Sequence, residues 1–260
     1  MLDASEKNPA EFWKILNSLK EKSEDPSTSI SPQDWFAYFK DLMNTNYTSN
    51  YSVNDFCKYL HCNNDQLNSD ITAEEMTKAV QYLKNKKASG LDCISNEMIK
   101  ASSSVLPNIY VDIFNTILRS GVFPSLWREN FIKPLFKGVD MNDPSCYRGI
   151  AISSCLSKLF TRIMFNRLDE YLENNNIICP EQKSFRKGMR TNDHMFTLKT
   201  LIDKYFKKNK YIFACFIDLK KAFDTINRNA LLHKIFQYNI RGNFFSVLES
   251  MYKKVLFSVD

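Results

Sequence analysis

The chain has 260 residues and 30.4 kDa, is 44% hydrophobic and 25% charged, has a mean hydropathy of -0.36, and carries a net charge of +6, the composition of a globular protein with room for one sizeable domain and an appendage or for two small domains. The longest unbroken apolar run, Tyr211 to Ile217, falls far short of the roughly 20 residues that span a bilayer, and the opening MLDASEKNPA lacks a signal-peptide pattern, so neither a membrane protein nor a classically secreted one is expected. The charge is unevenly spread: residues 1 to 70 hold 6 basic and 11 acidic side chains, net -5, and residues 71 to 260 hold 29 and 18, net +11.

In chain order, Asn8 to Lys22 shows a helical stripe of Phe12, Ile15, Leu16 and Leu19. SEDPSTSISP then reads as a linker, Asp34 to Met43 as a short helix, and residues 44 to 70 show no sustained period. This gives an acidic, loop-rich appendage over 1–70 and a main domain over 71–260. The main domain opens with a capping box, Thr72 to Glu75, followed by a helical face of Met76, Ala79, Val80 and Leu83, with Lys84 to Lys87 at the helix C-terminus and a break at Gly90. Leu106 to Arg119 reads as a helix that buries Ile109, Ile113, Phe114, Ile117 and Leu118 and stops at Ser120-Gly121. Phe131 to Phe136 and Tyr147 to Ile152 are short strands around a polar turn, and Leu156 to Leu172 is the clearest amphipathic helix.

A further helix is expected from a Thr191/Asn192 cap through Tyr205, and another from an Asn227 cap through Phe236. Between them Tyr211 to Ile217 (YIFACFI) reads as a strand buried on both faces that delivers Asp218 at its end. The class is α+β and mostly helical. Seven scattered cysteines without C-x-x-C spacing suggest neither a disulfide framework nor a zinc site; they read as reduced thiols of an intracellular protein, with nucleus and cytoplasm not distinguished.

Two features carry chemistry. Basic clusters such as Lys84/Lys86/Lys87, Arg186/Lys187/Arg190 and Lys207/Lys208/Lys210 would neutralise phosphates of a nucleic acid, although a solvated face would look the same. A carboxylate at a strand end, Asp218, is how a protein pins Mg2+, and it is also how a turn is capped.

The ordered series KNKKASGLD, FNTILRSGVFPSLWRENFIKPLFK, DPSCYRGIAISSCLSKLF, IICPEQKSFRKGMRTNDHMF and FIDLKKAFDTINRNALLHKI resembles the reverse transcriptases of non-LTR (LINE-type) retrotransposons, and NPAEFWKIL with DWFAYF resembles the connector before that domain. The resemblance implies a partial right-hand polymerase, fingers and incomplete palm, preceded by a helical, loop-rich connector. It implies an RNA template, a DNA primer and deoxynucleotides as partners, with two Mg2+ ions in the complete enzyme. By the same mapping Asp218 is the catalytic metal ligand and the Leu219 carbonyl a second contact to metal. Phe223 falls where the family places a ring under the nucleotide sugar, which would exclude a 2'-hydroxyl; its plain alternative is a core aromatic. Lys137 and Arg148 match the residues aimed at the incoming triphosphate, and would otherwise be surface charges. Gln182 and Arg186 fall near nucleotide and template, and Lys158 joins Lys84, Lys86 and Lys87 as nucleic-acid contacts.

Ser184 and Cys93 stand where the family usually or often has Gly, and Gly149 where it often has Pro; a Gly position that needs positive φ would be strained by Ser or Cys. The chain contains no Asp-Asp pair, so one carboxylate of the family's catalytic set is present and little polymerase activity is expected of these residues alone. A non-enzymatic nucleic-acid-binding remnant of such an element is the alternative.

Overall fold

The computed structural model describes residues 29–43, 65–219, 221–253 and 255–259. The helix expected over Asn8 to Lys22, most of the linker and residues 44–64 lie outside the described residues. In chain order the elements are α1 (Pro32–Met43), α2 (Asp65–Asn68), α3 (Ala73–Gln81), α4 (Asn96–Val105), α5 (Pro107–Ser120), β1 (Glu129–Phe136), β2 (Tyr147–Ile152), α6 (Cys155–Asn174), α7 (Thr191–Phe206), α8 (Arg228–Gln237), α9 (Gly242–Tyr252) and β3 (Leu256–Val259). The protein is mostly helical with one small sheet, in the strand order β2-β1-β3. No helix among the described residues is long and apolar enough to cross a membrane.

The chain divides into two compact units. One comprises residues 1–44, 132–151 and 259–260; the other, residues 45–131 and 152–258. In the first unit, α1 starts where the Asp34 N–H donates to the Ser31 hydroxyl at 3.2 Å. It buries Trp35 and Phe39, whose rings stack with centroids 5.8 Å apart, and Trp35 meets Tyr147 edge-on at 4.9 Å. Gly149 lies under this aromatic cluster: a Cβ there would stand 2.6 Å from the Phe39 ring and 3.0 Å from Ile132. Glycine is therefore required here on steric grounds, since any side chain would displace a buried ring.

The second unit holds the main core, built from Ile71, Met76, Ile99, Phe114, Leu118, Leu159, Phe160, Ile163, Phe244 and Val247, among others. Phe160 of α6 sits among Phe114, Phe123 and Trp127, at centroid distances of 5.4, 6.2 and 6.0 Å. The capping box forms as expected: the Glu75 N–H donates to the Thr72 hydroxyl at 3.2 Å, and the Thr72 N–H donates to Glu75 Oε2 at 2.9 Å. Gly121 (φ 67) closes α5 in the left-handed conformation, and the Ala230 N–H donates to Asn227 Oδ1 at the start of α8.

The most demanding group in this core is Arg167, on α6 and only 8% exposed. All five of its N–H donors are used. Nε and Nη2 donate to Glu75 at 2.6 and 2.8 Å, Nη1 to the carbonyls of Leu67 and Ser69 at 3.1 and 2.6 Å, and Nη2 again to the carbonyl of Asp70 at 2.9 Å. Arg167 thus joins α6 to the turn after α2 and to the cap of α3. Asn115 of α5 adds a second clamp, donating to the carbonyl of Ile71 at 3.0 Å and accepting its N–H at 2.6 Å.

Several expectations are corrected. Ile109 and Ile113 are 50% and 47% exposed, because α5 turns Phe114, Ile117 and Leu118 into the core, with Tyr110 and Val111 packed beside them, and leaves these two on the outer face. The helix α3 ends at Gln81, so Lys84 to Lys87 lie in a loop rather than at a helix C-terminus. The cap of α7 is Arg190, with Asp193 accepting its N–H at 2.7 Å, and α7 buries none of its residues. Tyr211 to Ile217 forms no strand. Tyr211, Phe213 and Ile217 are 90%, 96% and 85% exposed, because an apolar run becomes a buried strand only where neighbours pair with it, and none of the described strands does. Three helices, α2, α4 and α9, and the strand β3 carry no expectation at all. In α4 three consecutive serines weaken the helical signal, and Ser102, Ser103 and Ser104 bond back to the carbonyls of Met98, Lys100 and Ala101.

Arg167→Ala is expected to destabilise the protein by about 3 kcal/mol, the low end of the range for breaking a buried ion pair because Glu75 is partly exposed. Burial pulls the Glu75 carboxyl upward, but the hydrogen bonds from Arg167 and Thr72 and the Arg167 charge outweigh it, holding its pKa below the ordinary 4.5. The stabilisation is therefore complete above about pH 4.5 and is lost as pH falls through the lower folded value. Urea unfolding as a function of pH should show a steeper acid decline for the wild type than for Glu75→Gln.

Candidate nucleotide and nucleic-acid interface

The residues singled out from the sequence fall in both units. Lys137 and Arg148 belong to the first: Lys137 follows β1, its N–H donating to the carbonyl of Cys146 at 2.9 Å, and Arg148 lies in β2, both exposed. The loop between the strands is tight. Gly138 lies so close to Cys146 that a Cβ would stand 2.3 Å from the Cys146 Cβ, and Asp143 caps the turn by accepting the Ser145 N–H at 2.7 Å. The turn therefore holds Lys137 at a fixed place on an exposed edge.

In the second unit, Asp218 and Leu219 lie in an extended segment without regular structure, Leu219 72% exposed. Phe223 is 69% exposed and meets Phe185 edge-on, centroids 5.9 Å apart. The structure thus brings FIDLKKAFD beside QKSFRKG, motifs some forty residues apart in sequence. Phe223 is no core aromatic, since most of its ring meets solvent.

Arg186 is held elsewhere. Nε and Nη2 donate to Glu173 Oε1 and Oε2, each at 2.7 Å, and Nη1 to the carbonyls of Cys179 and Gln182 at 3.3 and 3.2 Å. The hydrogen bonds from Arg186 hold the Glu173 carboxyl below the usual carboxylate range. Arg186 therefore ties the loop after α6 to the end of that helix, and Gln182 sits on the loop so tied, exposed. The Arg186 guanidinium is thus committed to shaping the loop.

Lys84, Lys86 and Lys87 are exposed in the loop between α3 and α4, and Lys158 is exposed on the first turn of α6. The loop is braced against that helix start. Asp92 accepts the Ser154 hydroxyl proton at 2.6 Å, and a Cβ on Gly90 would stand 2.6 Å from the Ser154 nitrogen. The C-terminal end of the lysine-bearing loop is thereby fixed to the start of the helix that carries Lys158. A groove of about 850 Å3 opens on the same unit, lined in part by Tyr82, Arg162, Phe165, Phe185 and Arg186. The Arg162 guanidinium lies over the Tyr82 and Phe165 rings at 5.1 and 5.4 Å. Sequence reasoning missed this stack; the signal available was only an aromatic three positions after an arginine on a helix.

Asp218 and the Leu219 carbonyl are a small donor set for magnesium, which takes six oxygens and often several carboxylates or phosphates. Among the described residues, no group of three or more His, Cys, Asp or Glu could hold a metal ion. The described residues therefore do not fit a two-ion site by themselves.

Of the two departures suspected of strain, Cys93 does sit at positive φ (57) and Ser184 does not; the positive-φ residues of that motif are its neighbour Phe185 (φ 62) and Gly188 (φ 79).

Residues 137–259 match the family described as "Reverse transcriptase (RNA-dependent DNA polymerase)". A probable RNA-directed DNA polymerase from transposon BS of Drosophila melanogaster is 34% identical over 167 residues, 64% of this chain and 18% of that protein. The RNA-directed DNA polymerase from mobile element jockey of Drosophila funebris is 30% identical over 190 residues, 73% and 21%. The Pol polyprotein of the type-1 retrotransposable element R1 of Bradysia coprophila is 28% identical over 168 residues, 64% and 16%. The chain thus spans about a fifth or less of the length of these relatives.

Cys93→Gly is expected to stabilise the protein by about 0.5–1 kcal/mol, because it removes the Cβ from a left-handed position at an exposed site where no packing is lost. Chemical denaturation of the two forms measures it.

Proposed function

Residues 137–259 belong to the reverse transcriptase family, in a chain similar to the RNA-directed DNA polymerases of non-LTR retrotransposons, and from this premise we propose that the chain supplies the fingers and first palm motif of such a polymerase. Residues 71–260 would form the polymerase portion and residues 1–70 the connector. The partners are an RNA template, a DNA primer and deoxynucleotides. The observation that carries the reading is the family match over residues 137–259, the stretch in which the proposed Lys137, Arg148, Gln182, Asp218 and Phe223 lie, together with the exposure of Phe223, which stands against Phe185 rather than in the core.

The roles follow from chemistry. Arg148 offers a planar fork to phosphate and Lys137 a compact charge, the pair suited to an incoming triphosphate. Phe223, braced by Phe185, would stand as a wall beside the sugar and leave no room for a 2'-hydroxyl. Gln182 would reach the nucleotide from the loop that Arg186 shapes. Asp218 and the Leu219 carbonyl would contribute to a Mg2+ site that needs further carboxylates. Lys84, Lys86 and Lys87 of the loop between α3 and α4, with Lys158 of α6, would meet template phosphates.

Binding of single-stranded RNA should weaken steeply with salt, with a log–log slope near -3 if Lys84, Lys86, Lys87 and Lys158 each neutralise one phosphate, at about 0.7 per phosphate. Sequence changes in the RNA should matter little. A fluorescence titration across a salt series measures both, and an affinity unchanged by salt defeats the assignment.

Asp218→Asn should leave the stability of this chain almost unchanged, because the side chain is exposed. In a polypeptide extended to the length of the relatives, the same change should abolish primer extension on an RNA template. Phe223→Ala should there keep extension while admitting ribonucleotides. Near-normal extension by Asp218→Asn would return that carboxylate to a turn-capping role.

A further inference from the structure

We propose that Glu97 is a positioning residue for nucleic-acid binding: it holds the Lys84–Lys87 segment in a single backbone conformation from which three lysines reach the phosphates of single-stranded RNA. The inference rests on the reading of those lysines given above and adds the device that makes them effective.

The segment has no helix or strand to hold it, yet three of its residues are tied to the start of α4, Lys84 and Lys86 through the backbone and Asn85 through its side chain. Asn96, only 5% exposed, donates from Nδ2 to the Lys84 carbonyl at 2.8 Å. Lys100 donates to the Asn85 side-chain oxygen at 2.6 Å. The Lys86 N–H donates to Glu97 Oε1 at 2.5 Å. Three residues in the first five of α4 thus hold three successive residues of the loop. On the far side, the Cys155 thiol lies 3.9 Å from the Ala88 carbonyl as a weak donor, and Gly90 presses on the Ser154 backbone.

Lys86 is the exposed key to this arrangement. Its φ of 58 is a left-handed conformation that a residue with a Cβ avoids, so something must hold it there. The carboxylate of Glu97 is the group that accepts its N–H. The Lys86 N–H, and next the N–H of Glu97 itself, hold the Glu97 carboxyl below its ordinary value, so it is ionised at neutral pH. With the backbone committed inward, the side chains of Lys84, Lys86 and Lys87 are left exposed, and among the described residues none is in an ion pair. A loop ordered before binding does not lose that freedom on meeting RNA, which raises affinity without adding a contact.

An acidic side chain beside a phosphate-binding loop makes a sharp test, because charge and position predict opposite signs. If Glu97 acted only by its charge, removing it would tighten RNA binding in any substitution. If it positions the loop, Glu97→Gln, which keeps an acceptor for the Lys86 N–H, should bind a labelled single-stranded RNA oligonucleotide as tightly as the wild type or a few-fold tighter. Glu97→Ala should bind about tenfold more weakly than Glu97→Gln, the loss expected when about one residue must be ordered on binding. The Lys86 amide should exchange slowly in the wild type and Glu97→Gln and quickly in Glu97→Ala, with the melting temperature unchanged. Equal affinity of the alanine and glutamine forms overturns the positioning role. A control with Lys84, Lys86 and Lys87 all changed to Ala should lower the salt slope by about 2. If that slope does not move, the loop does not meet phosphates, and both this inference and the reading it rests on fall. If it moves while the two Glu97 forms agree, only the positioning role falls.

Discussion

A guanidinium buried in a helical core is tolerable only when every one of its donors is matched, and Arg167 is the group around which the larger unit is arranged. Its five hydrogen bonds reach a carboxylate and three backbone carbonyls that lie 92 to 100 residues earlier in the chain. Those partners are the cap of α3 and the turn after α2. The helices α2, α3 and α4 all pack on α6, so the residue that fixes α6 against the first two also fixes the platform on which the third stands. A hydrophobic residue at 167 could fill the volume, but it could not satisfy the carbonyls of Leu67, Ser69 and Asp70.

The same economy recurs wherever the unit must hold irregular backbone. Asn115 reads both polar groups of Ile71. Asn68 accepts the Phe244 N–H at 2.9 Å and donates to the Arg241 carbonyl at 3.1 Å, fastening the start of α9. Ser250 accepts the Phe123 N–H at 2.9 Å across 127 residues. In each case a short polar side chain on a regular element satisfies backbone groups of a loop or a helix end that have no partner in their own element. The loops held this way include the one that carries Lys84, Lys86 and Lys87, and Arg186 does for the loop of Gln182 what Glu97 does for the lysine loop. Charged side chains in this protein therefore divide their work: some are aimed outward, and others, of family motifs as well, are spent on fixing the backbone that aims them.

Much of this was open to reading in the residues. The capping box at Thr72, the glycine stop at Gly121, the strand Tyr147–Ile152 and the long helix α6 rest on local rules, a cap and a period, that hold whatever surrounds them. The motif series led to the reverse transcriptase family because it depends on order and spacing along the chain, which folding does not alter. The failures share a different cause. Ile109, Ile113 and YIFACFI are apolar and were expected inside, yet apolarity says only that a side chain gains from burial and not that a neighbour stands ready to bury it. The serines of α4 point the other way, polar residues inside a helix that tertiary contacts keep.

What the sequence by itself determined is the chemistry on offer: the carboxylate of Asp218, the ring of Phe223, the basic groups of Lys137 and Arg148, and the charge that divides the first 70 residues from the rest. Which of those groups are free to act was decided only by the tertiary structure. Arg186 is bound to Glu173, Phe223 stands against Phe185, Cys93 holds a left-handed backbone, and Glu97, a solvated helix residue by pattern, accepts the Lys86 N–H. Each of these pairings joins residues at least eleven positions apart or depends on a loop conformation, and no periodicity or cap rule specifies such geometry. It follows from how the helices pack, and that packing turns on the donors of Arg167.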